Sequence, residues 1–160
     1  YSGIAPSPLA GEGRGGGYAR AKALTRVTPS PRFALIEIRR LHAHEQTGPA
    51  LLRELTEQIR RDGVLKIPVL VADRDFVILD GHHRVEALRA LGCKRVSVHL
   101  VDYYSDFVDL GTWPDAAVAV VTKQDVIRRG LSNDLFPPKT TRHTLASPPE
   151  VRPTDLELLK

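Results

Sequence analysis

The 160-residue chain has no methionine, one cysteine and one tryptophan, and only 6% of it is aromatic. One cysteine, Cys93, excludes a disulfide framework and leaves no Cys set for a zinc site. It fits a reducing compartment, so a cytoplasmic protein is expected. No apolar run approaches the roughly 18 residues that a membrane-spanning helix needs. Without methionine, Tyr1 is not an ordinary translation start. A charge excess is also missing from most of the chain. Residues 1–32 carry five basic residues against Glu12, which accounts for the whole net charge of +4, and the rest balances at 18 basic and 18 acidic. Bulk charge therefore gives no support to nucleic-acid binding by the folded part.

Residues 1–30 hold Gly-Glu-Gly-Arg-Gly-Gly-Gly, scattered Pro and Ser, and no apolar periodicity. They read as a flexible basic leader, and lack the apolar stretch of a signal peptide. Residues 7–15 resemble translated repetitive DNA, which suggests an over-extended or truncated gene product; a genuine basic tail is the rival. The globular part is expected over residues 31–146, and the Pro-rich residues 147–160 as a polar tail. Within it, Phe33–Ile38 reads as a strand. Gly48-Pro49 opens a helix with Leu51, Leu52, Leu55 and Ile59 on one face and Gly63 past its end. Strands follow at Pro68–Val71 and Phe76–Leu79. A helix carries Val85, Leu88 and Leu91 and stops at Gly92. Val96–Val101 reads as an imperfect half-buried strand. A last helix starts at Thr122 with Asp125 completing a capping box, and Gly130 closes it.

What is present is concentrated at Asp80-Gly81-His82-His83-Arg84. A strand ends there, Gly81 permits a sharp turn, and a helix begins. Free N–H groups and the positive end of the helix dipole make such a place an anion site. Arg84 adds a fork suited to phosphate, and Asp80 can hold a metal ion on that phosphate or cap the helix. Zinc is the other chemistry histidines suggest, but adjacent histidines rarely share a metal. An ordinary strand–turn–helix junction is the plain alternative.

This motif resembles the nucleotide-binding turn of the ParB/sulfiredoxin-like superfamily, in the form carried by free L-serine kinases. Three other segments resemble the same family in the right order: Leu41-His42-Ala43-His44-Glu45, Thr112-Trp113, and Leu135–His143. The resemblance covers about residues 31–145. It implies an α+β fold, a compact domain with a small mixed sheet and flanking helices. It also implies a kinase that moves a phosphoryl group from ADP or ATP, with Mg²⁺, to the hydroxyl of free L-serine, giving O-phosphoserine. Sulfiredoxins carry a reactive cysteine where this chain has His82. The DNA-segregation members carry Glu-Arg-Arg where it has His82-His83-Arg84.

Carried onto this sequence, the resemblance makes Glu45 and Asp80 catalytic, with Asp80 also the Mg²⁺ ligand. Gly81, His82, His83 and Arg84 become the nucleotide-phosphate site. Trp113, Lys139, Thr140, Thr141, Arg142 and His143 become the substrate site. Serine and nucleotide are the expected partners, without membrane or nucleic acid, for a monomer or small homo-oligomer. Two alternatives stand beside this: a nucleotide-binding regulator without kinase activity, and a DNA-binding ParB-like protein.

Overall fold

The computed structural model describes residues 31–160. The expected leader, residues 1–30, lies outside them. The central element is a four-stranded mixed sheet built from β1 (Arg32–Glu37), β3 (Val69–Ala72), β4 (Ile78–Asp80) and β5 (Arg95–Val101). Their order is β1-β5-β3-β4; β5 runs antiparallel to β1 and parallel to β3, and β4 is antiparallel to β3. Two short ribbons complete it: β2 (Val64–Leu65) with β8 (Thr154–Asp155), and β6 (Val108–Thr112) with β7 (Thr141–Leu145). The helices are α1 (Pro49–Asp62), α2 (His82–Ala90) and α3 (Lys123–Ser132). The architecture is the expected α+β domain.

The sheet is covered on both faces. Successive residues of β3 point to opposite sides, so Val69 and Val71 join one cluster and Leu70 and Ala72 the other. The first cluster takes Ile59 from α1 and Val85, Ala87 and Leu88 from α2. The second takes Tyr103, Phe107, Val108 and, from α3, Val126. Two-sided cover explains why β5 is buried at every position after Arg95, where an alternating, half-buried strand was expected.

Three other expectations are corrected. Gly130 does not close α3: the helix ends at Ser132 and Asn133 caps it in the left-handed conformation. Gly130 is buried inside the helix, where an added Cβ would lie 2.7 Å from Val77, so its smallness lets α3 approach the sheet. The strand expected from Phe76 begins at Ile78, because Phe76 (φ 54°) is spent in the turn. Residues 147–160 are not a free tail. Thr154–Asp155 pairs with β2, Leu156 and Leu159 are buried, and the Leu159 carbonyl accepts from the Lys94 and Arg95 N–H groups. The Pro-rich start of this segment masked the apolar residues at 156 and 159. Among the described residues no helix is long and apolar enough to cross a membrane.

Candidate functional site

Residues 42–46 form an extended splice between two parts of the chain. His42 bonds with Phe76 and Ile78 beside β4, while His44 and Gln46 bond with Phe136. Alternation in an extended chain then sends neighbouring side chains opposite ways. His44 goes into the interior, with no exposure, and Glu45 goes toward a cleft. Glu45 Oε1 accepts from the backbone N–H groups of Thr140 and Thr141, each at 2.9 Å, and lies 3.2 Å from Thr141 Oγ1.

Facing it is the start of α2. The N-cap is Gly81 at φ 111°, and a Cβ there would meet Val69 and Arg84 at 3.0 Å, so both conformation and space call for glycine. Asp80 does not cap the helix. Its side chain is 69% exposed and lies 3.7 Å from Arg84 Nη2. The first intrahelical bond runs from Val85 N–H to the Gly81 carbonyl, so the N–H groups of His82, His83 and Arg84 precede the ladder at its positive end.

The side chains here are engaged locally. His82 Nε2 accepts from the His44 N–H at 3.2 Å, and His83 Nε2 from the Gly48 N–H at 2.9 Å. Both imidazoles thereby tie the Glu45 loop to the helix, and each neutral ring carries its proton on Nδ1. Arg84 Nη1 donates to the carbonyls of Ile67 (2.7 Å) and Pro68 (3.0 Å). What the two residues have left to offer an anion is Nδ1–H and the backbone N–H.

The third wall is the β6–β7 ribbon. Within the segment read as a substrate site, Thr141–Leu145 is a strand paired with β6, and Lys139 takes a left-handed turn (φ 58°) just before it. Trp113 Nε1 donates to the Thr141 carbonyl at 3.1 Å, and the Arg142 guanidinium lies 4.8 Å over the indole. Thr140 is buried and does not line the cleft; its hydroxyl donates to the Pro137 carbonyl and its N–H holds Glu45. The Tyr103 hydroxyl lies 2.8 Å from His143 Nε2. Burial pushes the Tyr103 phenol up. Burial holds His44 down at about 4 and His143 down at about 3, and pushes His82 well down, so all three rings are neutral near pH 7.

These elements enclose a cleft of about 450 Å³ lined by Glu45, Asp80, Gly81, His82, His83, Arg84, Trp113, Lys139, Thr141, Arg142 and His143, with Leu51, Leu55 and Leu79 as its apolar floor. Of the expected residues only Thr140 stands behind the wall. The sequence reading missed His44, Tyr103 and the apolar floor. The His-Ala-His-Glu spacing held the signal for His44, since a strand-like segment presenting Glu45 must bury its neighbour. A second concavity of about 490 Å³ lies between Glu37, Arg39, Arg89, Cys93, Lys94, Arg95 and Lys160. There Arg39, Arg89 and Lys160 already pair with Glu37, Glu86 and Glu157, and the Cys93 thiol is pushed up by burial.

Asp80 is a single carboxylate, and no group of three or more His, Cys, Asp or Glu residues among those described is placed to hold a metal. One carboxylate beside a helix N-terminus suits Mg²⁺, which takes most of its ligands from water and phosphate. It does not suit zinc.

Comparison with known proteins fits this arrangement. The ParB N-terminal domain model matches residues 27–108. The chain belongs to the ParB N-terminal domain family. It is 33% identical over 103 residues to an ATP-dependent L-serine kinase of Staphylothermus marinus and 36% identical over 103 residues to one of Desulfurococcus mucosus. Each match covers 61% of this chain but only 41% and 40% of those proteins, so the chain spans under half their length. A solved mutant free serine kinase in complex with AMP superposes with a TM-score of 0.74 at 20% identity, covering 83% of this chain and 96% of that one. At that identity the superposition establishes the shared fold.

Proposed function

We propose that this ParB-domain protein is a small-molecule kinase that transfers a phosphoryl group from ADP or ATP to the hydroxyl of free L-serine. The observation that carries the reading is the placement of Glu45 and the N-terminus of α2 on facing walls of one cleft. A serine hydroxyl needs a group to take its proton, and the transferring phosphoryl group needs positive charge around its oxygens. Glu45 fits the first requirement. One of its oxygens is fixed by two backbone N–H groups, which orients the other. The N–H groups of His82–Arg84, with the Nδ1–H of His83, fit the second.

In the reaction the serine oxygen attacks the terminal phosphorus. The new O–P bond forms as the bridging P–O bond breaks, AMP or ADP leaves, and the hydroxyl proton passes to Glu45. Asp80 would hold Mg²⁺, whose chemistry there would be charge neutralisation on the nucleotide's phosphates. Lys139, Arg142 and Trp113 line the side of the cleft nearest Glu45's anchors and suit the carboxylate and ammonium ends of an amino acid. The serine kinases among the relatives support the same acceptor. The reading implies a cytoplasmic activity, where free serine and adenine nucleotides are at hand.

The test incubates the full chain with L-serine, Mg²⁺ and either ADP or ATP, and detects O-phosphoserine by mass spectrometry. Product that disappears in Glu45→Gln, with nucleotide binding retained, is the expected result and identifies the donor. Nucleotide binding without product in the unaltered chain would turn the reading to a regulator.

A further inference from the structure

Glu45 Oε1 already has two N–H donors when it meets the Thr141 hydroxyl at 3.2 Å. That hydroxyl has a second neighbour at shorter range, His44 Nε2 at 2.8 Å. A hydroxyl has one proton to give, so both contacts cannot be donations. The other end of the ring decides between them. His44 Nδ1 lies 2.6 Å from the Ile78 carbonyl, which can only accept. The ring proton is therefore on Nδ1, and a neutral ring offers Nε2 as an acceptor. Thr141 gives its proton to His44 and turns oxygen lone pairs toward Glu45.

We propose that His44 is a positioning residue for the catalytic carboxylate. Acting through the Thr141 hydroxyl, it withholds a third hydrogen bond from Glu45 and so keeps that carboxylate an effective proton acceptor. The inference rests on the reading of Glu45 as the base. Hydrogen bonds to a carboxylate favour its charged form and weaken it as a base, so a donor turned away is chemically useful. It also reassigns Thr141 from a substrate ligand to the link between a buried ring and the base.

The surroundings keep His44 in the state this needs. The ring is buried and its conjugate acid disfavoured by desolvation. The titratable groups against it are His82, with ring centres 4.6 Å apart, and His143, at 5.9 Å. Burial holds both neutral as well. The charged groups lining the cleft with Glu45 are Asp80, Arg84, Lys139, Arg142 and, when protonated, His83. If His44 gained a proton, both ring nitrogens would donate, Thr141 would accept from Nε2, and its own proton would swing to Glu45.

The experiment has two parts, both on the full chain. The first is ¹⁵N NMR of the His44 ring between pH 6 and 8. The expected state is neutral with the proton on Nδ1; an Nε2–H ring overturns the proposal, whatever any variant does. The second follows the Glu45 carboxyl by ¹³C NMR, and the turnover pH profile, in His44→Phe, Thr141→Val and the double variant.

Freed from His44, the Thr141 proton turns to Glu45. His44→Phe is therefore expected to move the Glu45 titration and the acidic limb of kcat/KM to lower pH. It should also lower kcat at neutral pH about threefold to tenfold with little change in the KM for serine, as expected of a weakened general base. In the Thr141→Val background, His44→Phe should move neither titration nor limb. An unmoved titration, or equal movement in both backgrounds, would reduce His44 to packing. Should His44→Phe fail to fold, the ring tautomer decides alone. Titration and tautomer need no turnover. Their success without O-phosphoserine would overturn the kinase reading and leave the linkage standing, and turnover with an unmoved titration would do the reverse.

Discussion

The sheet beneath α2 and the seam beside it are assembled from opposite materials. Around Val69, Val71, Val85, Leu88, Val96 and Val98 the interior is aliphatic, and none of these residues is exposed. A few ångströms of chain away, where residues 42–46 and β4 meet β7, the interior is polar. There His44, His82, Thr141 and His143 are joined to Ile78, Tyr103 and, through the Thr141 backbone N–H, Glu45 by hydrogen bonds. Aliphatic packing is indifferent to protonation and tolerant of reshaping. The polar seam depends on one tautomer of His44 and one of His82, so it is geometrically exact but chemically conditional. The protein has put the conditional half against the cleft.

The largest effect should come from the seam's one carboxylate. Glu45→Gln keeps an oxygen for the Thr140 and Thr141 N–H groups but removes the base. It should lower serine phosphorylation by about 10²–10⁴-fold. Nucleotide affinity, measured by calorimetry, and the melting temperature should both stay close to those of the unaltered chain. A melting temperature that falls as far as the rate would make Glu45 a fastener only.

The opposite pattern should follow a change in the aliphatic half. Leu88→Ala empties a site with no exposure and should cost about 2–5 kcal/mol in denaturant unfolding. The nucleotide affinity of the folded fraction should be unchanged. A variant that keeps its stability but loses nucleotide would show that α2 is positioned by this contact rather than simply held.

Acid should separate the two halves without any substitution. His44 is held at about 4 and His143 at about 3, against an ordinary 6.5, and His82 is pushed down as well. Lowered folded-state values mean that the unfolded chain takes up protons first. Stability from these rings is complete above about pH 6.5 and is lost as the pH falls from there toward 4. The loss by pH 4.5 should be on the order of 2–3 kcal/mol for each ring that stays neutral in the folded state, read from urea midpoints at a series of pH values. A flat profile across that range would mean the rings are not buried neutral in solution.

The same contrast explains what the sequence showed. The apolar run at Val69–Val71, the helix faces at Leu52, Leu55 and Ile59, and the capping box of Thr122 and Asp125 are local patterns, and the structure has all of them. The turn at Gly81 was legible for the same reason: one residue type and its neighbours state the geometry. The Thr141–Leu145 strand was not, because its partner β6 lies about thirty residues away and its alternation of Thr, Arg and His carries little apolar signal. Leu159 was hidden by a polar, Pro-rich approach, although long-range bonds to Lys94 and Arg95 bring it into the core. The role of Thr140 was illegible in principle, because its contribution is a backbone N–H, which no residue type advertises.

The smallest effect expected is at the outer end of the seam, and it asks how much of the cleft wall is chemistry and how much is support. Trp113 is 39% exposed, donates from Nε1 to the Thr141 carbonyl at 3.1 Å, and carries the Arg142 guanidinium 4.8 Å over its ring. Trp113→Phe keeps an aromatic face for Arg142 and removes only the donor. That bond is only part-buried, so its loss should cost about 1 kcal/mol of stability. If the indole N–H merely braces β7, kcat and the KM for serine should both change less than about threefold, a shift worth under 1 kcal/mol. If the ring is the wall against which the amino acid lies, the KM should rise further while kcat holds, because a smaller face supports bound substrate and transition state about equally less well. Trp113→Ala then removes the platform for Arg142 too, and a KM that rises again with kcat still unchanged would mark this wall as binding surface and leave the chemistry with Glu45.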